Sequence, residues 1–166
     1  MALVIRPEEP GEESTIHDLT QKAFAPKAFS DGTEGAIIDK LRANGDLTLS
    51  LIALKDDQIV GHVAFSPVKI SHATGDWYGL GPVAVTPDLQ KTGIGTKIIT
   101  KGLETIREMG AEGCALTGDP GYYNRFGFRA TGTLHYAGTD DKYVQWFSFT
   151  DQPASGELTF STAFEG

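Results

Sequence analysis

The apolar positions of the chain change period several times, and each change predicts an element. Apolar runs rich in β-branched residues predict strands at LVIR, TLSLIAL, QIVGHVAFSPVKI, WYGLGPVAV and GCALTG. The polar turn KDDQ between the second and third runs predicts an antiparallel hairpin. Apolar residues at spacings of three and four predict helices over residues 12–24, from a cap at Thr33 to a stop at Gly45, and from Gly93 to Gly110.

The last third of the chain carries weaker patterns. A short helical turn is expected around residues 122–125, with strands near FRATG and KYVQWFSF and strand character in GELTFSTAF. The order β-α-α-β-β-β-α-β-(α)-β-β predicts a mixed α+β sheet with helices packed on it. The helix over residues 93–110 and the strands on either side form a βαβ unit, whose strands should be parallel with a right-handed crossover.

The length of 166 residues fits one domain, and no repeat or low-complexity linker divides it. We expect a single domain over residues 1–166, with a core at about 3–150 and a strand-like tail at 151–166. The formal net charge of −8 argues against nucleic acid as a partner, because a duplex-binding surface must neutralise phosphates. Neither a membrane span nor a secretion signal is found, so we expect a cytoplasmic protein with no membrane partner.

Cys114 is the one cysteine of the sequence, so no disulfide can form within the chain. It lies in the apolar run CALTG and is expected to be a small buried hydrophobe in a reducing compartment. His17, His72 and His135 lie in dissimilar contexts without metal-ligand spacing, and no metal is predicted.

The segment VAVTPDLQKTGIG follows a predicted strand and opens a predicted helix. A Walker-type loop is absent, and GLGPVA matches a dinucleotide pattern only formally, because it enters a strand through Pro82. At QKTGIG the first N–H groups of the helix lack intrahelical partners and can bind an anion such as a pyrophosphate. Gly93 and Gly95 remove side chains that would hold phosphates away, Thr92 offers a hydroxyl, and Lys91 offers a charge. The alternative is a plain left-handed turn before a surface helix.

This segment resembles the acetyl-CoA signature of the GNAT superfamily of N-acetyltransferases, V-x-P-x-x-[QR]-x-x-G-x-[GA], at Val85, Pro87, Gln90, Gly93 and Gly95. GDPGYYNRFGF is similar to the Y-x-x-x-G-F segment that follows the family's fifth strand. Together with GHVAFSPV and GLGPVAV, these motifs resemble the YhbS-like branch of predicted acetyltransferases over most of the chain. The resemblance implies the GNAT acyl-CoA N-acyltransferase fold.

The resemblance also implies that two neighbouring parallel strands, residues 80–85 and 114–118, splay apart at their C-terminal ends. Backbone groups of Val83 and Val85 would bond the pantetheine arm of acetyl-CoA as though it were another strand. The residues that would hold the pyrophosphate are Gln90, Lys91, Thr92, Gly93, Ile94, Gly95 and Thr96. The YhbS-like branch often has glycine at the position of Lys91, which either contacts a phosphate or points into solvent.

Acetyl transfer to an amine requires an oxyanion donor, a proton source for the thiolate and a sink for the amine proton. By resemblance, Tyr123 contacts the coenzyme and protonates the thiolate; the alternative is an aromatic packing partner of Phe126 and Phe128. Tyr122 is expected to be the core residue of the pair. The backbone N–H of Val85 is the candidate to polarise the thioester carbonyl.

The strands GLGPVAV and CALTG contain no carboxylate, although many family members place a glutamate base there. His62 and Asp119 are candidates, but a hydrogen-bonded sheet residue and a turn former are their expected roles. A water relay would need neither, so no base is assigned. Asn124 and Arg125 either contact the coenzyme or cover the turn.

The first two helices and the loop of residues 24–31 are expected to select the acceptor. Phe24, Phe29, Asp31 and Glu34 would form an apolar, acidic mouth, with ordinary packing and a solvated helix face as the alternative. The resemblance implies an acetyl-CoA-dependent N-acetyltransferase, monomeric or homodimeric, in which a small-molecule or peptide primary amine attacks directly in a ternary complex. The alternatives are a non-catalytic acyl-CoA-binding module and transfer of a longer acyl group or to a hydroxyl.

Overall fold

The computed structural model describes residues 3–27 and 30–165. Its strands and helices, in chain order, are β1 (Val4–Pro7), α1 (Glu13–Phe24), α2 (Glu34–Asn44), β2 (Leu49–Lys55), β3 (Gln58–His72), β4 (Trp77–Val85), α3 (Ile94–Glu108), β5 (Gly113–Thr117), α4 (Pro120–Tyr123), β6 (Leu134–His135), β7 (Val144–Ser148) and β8 (Ser155–Thr159). Short 3-10 turns occupy Pro87–Leu89, Asn124–Phe126, Asp141–Tyr143 and Thr162–Phe164. The predicted mixed α+β class and the order as far as the short helix α4 are confirmed, and three strands, β6, β7 and β8, follow α4.

The main sheet has the strand order β1-β2-β3-β4-β5-β7. Its neighbours are antiparallel except for β4 and β5, the parallel pair that the βαβ pattern predicts. β8 pairs with the second half of β3, and β6 runs parallel to β8. Beyond β8, Ala163 is buried in a cluster with Leu41 of α2, so the C-terminal tail packs against the rest of the chain.

The two faces of the sheet are covered by different helices. Ile98 and Ile106 of α3 lie in one buried cluster with Leu51 of β2. Its neighbour Ile52 points to the opposite face, because side chains alternate along a strand, and clusters with Ile16 of α1. Each fully buried side chain of this size contributes about 1.5–3 kcal/mol to folding. The apolar stripe of α3 is buried along the whole helix. Its burial therefore also holds the N-terminal end of α3 against the sheet.

Two adjacent aspartates make the turn between β2 and β3. Asp56 and Asp57 have φ angles of 53° and 63°. Two successive residues with positive φ form the type I′ turn, whose twist matches a two-residue hairpin, and aspartate tolerates this conformation better than most residues. The predicted antiparallel hairpin is confirmed.

The start of α2 differs in detail from the prediction. Thr33 occupies the N-cap position, but its side chain accepts no capping hydrogen bond. Instead, the carboxylate of Asp31 accepts hydrogen bonds from both the backbone N–H and the hydroxyl of Thr33. The Thr33 hydroxyl donates to Asp31, which precedes it in the chain, so the Thr33 side chain does not cap α2. The predicted stop at Gly45 is confirmed by a left-handed residue with a φ of 76°.

The strand expected near FRATG is wrong. In this segment only Arg129 forms a β-bridge, with Trp146 of β7. Gly127 and Gly132 have φ angles of 102° and 77°, so the chain turns on both sides of the bridge. Glycine takes such angles without steric cost, and these turns leave no room for a longer ladder.

Candidate active site

β4 and β5 are paired only where both strands begin. Trp77–Gly79 of β4 lies opposite residues 113–115 of β5. Past this point β4 continues along β3 as far as Val85, whereas β5 continues along β7 as far as Thr117. The two strands therefore separate towards their C-terminal ends, as the resemblance implied, and a gap opens in the middle of the sheet.

The backbone of β4 presents hydrogen-bonding groups to this gap. The N–H of Thr86 donates to the carbonyl of Val60, 2.9 Å away on the β3 side. In an antiparallel pair the residues that bond to the neighbour alternate, so Ala84 also faces β3. Val83 and Val85 consequently direct their N–H groups into the gap.

The opposite wall of the gap is built in the same way. The N–H of Gly118 donates to the carbonyl of Tyr143 at 3.1 Å, on the β7 side of β5. By the same alternation, the neighbouring residue Thr117 directs its backbone groups towards β4. An extended polar chain that enters the gap thus meets strand edges on both sides.

The segment after β4 leaves a row of backbone donors without partners. Gly93, with a φ of 92°, is the N-cap of α3. Among the described residues, no acceptor bonds the N–H groups of residues 91–96, and the first bonded amide is that of Lys97, which donates to the carbonyl of Gly93 at 3.1 Å. Free amides at a helix N-terminus attract anions, because they and the helix dipole both present positive charge. This row of free amides lies where the glycine pattern predicts an anion site.

The side chain of Gln90 connects this segment to two neighbouring parts of the chain. Its amide nitrogen donates to the carbonyl of Val85 at 3.1 Å, and its amide oxygen accepts from the ammonium of Lys27 at 3.3 Å. The side chain therefore holds the segment against the end of β4 and connects it to the residues after α1. Lys27 is a neighbour that sequence patterns do not reveal, because it lies 63 positions away in the chain.

Lys91 and Thr92 differ in what they offer a ligand. Lys91 is exposed and has a φ of 65°, a left-handed conformation that glycine adopts more easily than lysine. Thr92 donates its hydroxyl proton to the carbonyl of Leu89. The hydroxyl that Thr92 is expected to offer a ligand therefore already donates its proton to the chain, and only its oxygen is left to accept.

The two glycines of the loop have different surroundings. A Cβ added to Gly93 would meet nothing within 4 Å, so the space above this residue is open. A Cβ on Gly95 would lie 3.3 Å from the hydroxyl oxygen of Tyr122, which is a tight contact. Between them, the side chain of Ile94 is buried in the core, so this residue can offer a ligand only its backbone. Thr96 is partly buried beside Tyr122.

Tyr123 lies directly over the end of β5. A Cβ on Gly118 would be 2.8 Å from the Tyr123 ring, so the glycine permits this close packing. The ring also makes an edge contact with Phe128, but in the described part of the chain the hydroxyl forms no hydrogen bond. Burial, with smaller effects from Tyr122 and Asp119, raises the pKa of Tyr123 to about 12. The phenol thus keeps its proton and is a donor without a partner.

Tyr122 packs against the core as expected, but it is only partly buried and also contacts the glycine loop. Its hydroxyl oxygen lies 3.4 Å from that of Thr96 at the start of α3. Arg125 lies over the Tyr122 ring at 4.4 Å and donates from Nε to the Tyr122 carbonyl at 2.8 Å. Arg125 thus covers the turn, and Asn124 is exposed beside it.

The two candidate bases occupy structural positions. His62 is fully buried, and its Nε2 lies 2.7 Å from the hydroxyl of Ser50, which in turn bonds to Glu8. Burial lowers the pKa of His62 to about 4. Asp119 caps α4 by accepting from the N–H of Gly121 at 2.9 Å. Both expected structural roles, a hydrogen-bonded sheet residue and a turn former, are confirmed.

Cys114 is fully buried within β5, and burial raises the pKa of its thiol. The expected role of a small buried hydrophobe is confirmed. A buried thiol that keeps its proton is a poor nucleophile, so acetylation of Cys114 is not supported.

The proposed acidic mouth near α1 is explained by local contacts. Phe29 lies outside the described residues. Asp31 accepts hydrogen bonds from Thr33, and these bonds are the main cause that lowers the pKa of Asp31, against a smaller opposing effect of burial. Glu34 accepts from the hydroxyl of Ser30 at 2.6 Å, and Phe24 packs beside Ala84. Both carboxylates accept hydrogen bonds within the turn that leads into α2.

Two histidine pairs were missed by the sequence analysis. His17 lies 2.8 Å from Asp39, and His135 lies 2.9 Å from Asp141. The two residues of each pair are not separated by the spacing of a helix face or a strand, so no periodic pattern in the sequence predicts these pairs. Across the described ranges, no group of three or more potential metal ligands comes together. None of the helices described is long and apolar enough to cross a bilayer.

The sequence profile of the Acetyltransferase (GNAT) family matches residues 14–128. The chain belongs to this family. Its described elements give the GNAT fold.

Individual GNAT proteins resemble the chain over most of its length. The uncharacterised N-acetyltransferase YhbS of Escherichia coli K12 is 35% identical over 127 residues, which cover 76% of this chain and 73% of YhbS. The crystal structure of a GNAT family acetyltransferase from Brucella melitensis in complex with acetyl-CoA is 45% identical, covers 99% of both chains and has a TM-score of 0.88. YhbS from Escherichia coli in complex with CoA also has a TM-score of 0.88, at 28% identity over 99% of this chain and 92% of that chain.

Proposed function

We propose that this GNAT protein is an acetyl-CoA-dependent N-acetyltransferase that acetylates a small-molecule or peptide primary amine by direct attack in a ternary complex. The observation that carries the proposal is the row of free N–H groups at residues 91–96, placed beside the gap between β4 and β5. A diphosphate fits the first feature, and an extended chain with amide groups fits the second. Acetyl-CoA has both parts.

The residues of the loop have distinct parts in this proposal. The N–H groups of residues 91–96 bind the pyrophosphate, and Gly93 leaves open space for it. Gln90 holds the loop in place, while Val83 and Val85 bond the pantetheine amides. The crystal structures of the Brucella melitensis and Escherichia coli proteins, which contain acetyl-CoA and CoA, support this use of the fold.

The reaction requires charge stabilisation and a proton for the leaving sulfur. The N–H of Val85, directed into the gap, donates to the thioester carbonyl as negative charge develops on its oxygen. The amine nitrogen bonds to the carbonyl carbon and the C–S bond breaks. The nitrogen loses one proton to solvent, and Tyr123 donates its proton to the thiolate and regains one from solvent. The position of this phenol beside the end of β5, with no hydrogen-bond partner among the described residues, supports the role.

The test is turnover of acetyl-CoA with a panel of primary amines, for example tyramine, putrescine, benzylamine and a glycyl peptide. Release of the CoA thiol and mass spectrometry of the acetylated amine are measured together. We expect at least one amine to give both products in equal amounts. Acetyl-CoA binding with no acetylated product from any amine would favour the acyl-CoA-binding module, and faster turnover of a longer acyl-CoA would favour that acyl group.

A further inference from the structure

Gln145 is a fully buried polar residue in β7. It lies opposite Leu116 in the register of β5 and β7. Residues that lie opposite each other in an antiparallel pair point to the same face of the sheet. Leu116 packs in the cluster of α3, so the side chain of Gln145 also points to the α3 face. An amide that is buried among apolar side chains has to find hydrogen-bond partners there.

The Gln145 amide replaces a hydrogen bond that the pair of β5 and β7 lacks at its end. The N–H of Gly118 donates to the carbonyl of Tyr143, and in a regular antiparallel pair the N–H of Tyr143 would donate back to the carbonyl of Gly118. Here the N–H of Tyr143 donates instead to the carbonyl of Asp140 at 3.0 Å, within the 3-10 turn. Nε2 of Gln145 donates to the carbonyl of Gly118 at 3.0 Å and lies 3.4 Å from the carbonyl of Tyr143. The side chain therefore fixes the residue that follows β5.

The residue that Gln145 holds is the one on which Tyr123 packs. A Cβ on Gly118 would lie 2.8 Å from the Tyr123 ring and 3.5 Å from the side chain of Leu116. Gln145 and Tyr123 therefore both meet Gly118 on the α3 face. Only Asp119 and the single turn of α4 lead from Gly118 to Tyr123, whose N–H donates to the carbonyl of Asp119 at 3.0 Å. A movement of Gly118 would consequently also move the Tyr123 ring.

The oxygen of the Gln145 amide contributes nothing comparable. Oε1 is buried and accepts no hydrogen bond from the residues that the structure describes. A buried acceptor without a partner lowers the stability of a protein, and an apolar side chain of similar size would avoid this loss. One end of the amide thus lowers stability while the other holds Gly118. The stability of the fold is therefore not a sufficient reason for a glutamine at this position.

We propose that Gln145 is a positioning residue for acetyl transfer, which holds Gly118 so that the hydroxyl of Tyr123 stays beside the gap. This inference rests on the proposed function, in which Tyr123 donates a proton to the leaving thiolate. In this role Gln145 touches neither the coenzyme nor the acceptor and acts only through Gly118 and the Tyr123 ring. A proton donor that is displaced from the sulfur transfers its proton more slowly.

The test is a double-variant cycle of Gln145→Met and Tyr123→Phe, assayed with acetyl-CoA and the amine from the panel that is acetylated fastest. Gln145→Met removes the N–H donor and keeps a similar side-chain volume. It should lower kcat by about fivefold to tenfold and no more than Tyr123→Phe does, because the phenol is displaced but still present. In the Tyr123→Phe background, Gln145→Met should lower kcat no further, since no proton is left to position. Calorimetry should find an affinity for acetyl-CoA within about twofold of that of the wild type.

Ser148 provides the matched control on the same strand. Its hydroxyl donates to the carbonyl of Glu112 at 3.3 Å, at the end where β5 begins and is still paired with β4. Ser148→Ala therefore removes a side-chain bond from β7 to the other end of β5, and it should leave kcat nearly unchanged. Urea unfolding shows whether each variant is folded.

Gln145→Glu is a second variant with a different readout. A protonated carboxyl group can donate to the carbonyl of Gly118, whereas a carboxylate only accepts. The ratio of its kcat to that of the wild type should therefore rise as the pH is lowered, and burial should raise the pKa of the new carboxyl group. A ratio that does not change with pH would contradict the role of the donor. Without any substrate, the NMR signals of the Tyr123 ring should shift in Gln145→Met and stay unchanged in Ser148→Ala.

The outcomes separate this inference from the proposed function. An active wild type and a normal kcat in Gln145→Met would overturn the role of Gln145 only. An equal loss of kcat with and without the Tyr123 hydroxyl would also overturn it, because Gln145 would then act independently of Tyr123. A normal kcat in Tyr123→Phe would overturn the roles of both residues and leave the acetyltransferase activity in place. A wild type that binds acetyl-CoA but acetylates no amine would overturn the proposed function, and the role of Gln145 with it.

Discussion

The hydroxyl oxygen of Tyr122 lies 3.4 Å from Oγ1 of Thr96, so the turn after β5 is attached to the first turn of α3. Its neighbour Tyr123 instead packs over Gly118 with a hydroxyl that has no partner in the described ranges. Two adjacent tyrosines thus have separate surroundings: Tyr122 contacts the glycine loop, and Tyr123 lies at the end of β5, beside the gap.

Tyr123→Phe should lower kcat by about tenfold to a thousandfold and leave the affinity for acetyl-CoA nearly unchanged, because only a proton donor is removed. Steady-state kinetics and calorimetry measure the two effects. Tyr122→Phe is the control and should keep a near-normal kcat. Since the pKa of Tyr123 is raised to about 12, no loss of activity at alkaline pH should arise from this residue within the usual assay range. A normal kcat in Tyr123→Phe would show that this tyrosine contributes packing and not a proton.

Gly93→Ala should weaken acetyl-CoA binding by about tenfold or more, since a methyl group would enter the open space beside the free amides. The φ of 92° also makes the variant less stable, by about 1–2 kcal/mol. Gly110→Ala is a matched control at the other end of α3: its φ is 94° and an added Cβ meets nothing within 4 Å. Equal loss of binding in both variants would show that strain, and not the loop, is responsible.

Lys91→Gly should stabilise the protein by about 0.5 kcal/mol, because relief of the left-handed conformation exceeds the greater chain entropy of glycine. Urea unfolding measures this difference. Lys91→Asn removes the charge but tolerates the same backbone conformation, so it isolates the electrostatic contribution. If Lys91 contacts a phosphate, both variants will bind acetyl-CoA with a weaker salt dependence than the wild type; if it points into solvent, the dependence will be unchanged. A loss of stability in Lys91→Gly would contradict the strain assigned to this residue.

The free energy of unfolding should fall as the pH is lowered from 6.5 towards 4. Burial lowers the pKa of His62 to about 4, so the unfolded chain binds a proton before the folded protein does. The full difference corresponds to about 3 kcal/mol. Urea unfolding across this range should show the loss in the wild type and in the control His72→Gln, since His72 is exposed at the end of β3. His62→Gln should have a flatter profile; an unchanged profile would contradict burial of a neutral His62.

Local patterns predicted the framework of the site, whereas contacts between distant segments had to come from the structure. The βαβ pattern and the glycines specified where α3 begins, and hence the row of free amides. Lys27 and Gln90 meet because the connection after α1 packs beside the loop, which neither segment encodes alone. Likewise, the pair of His135 and Asp141 depends on a 3-10 turn, and turns of this kind have weak sequence signals.

The most direct measurement is a calorimetric titration of the protein with acetyl-CoA, beside CoA, ATP and NAD, at two salt concentrations. We expect acetyl-CoA and CoA to bind and ATP and NAD to bind weakly or not at all, because only the coenzyme A species have both a diphosphate for residues 91–96 and a pantetheine arm for the gap. Higher salt should weaken binding. A folded protein that binds no CoA species, or binds ATP equally well, would contradict the assignment of this site.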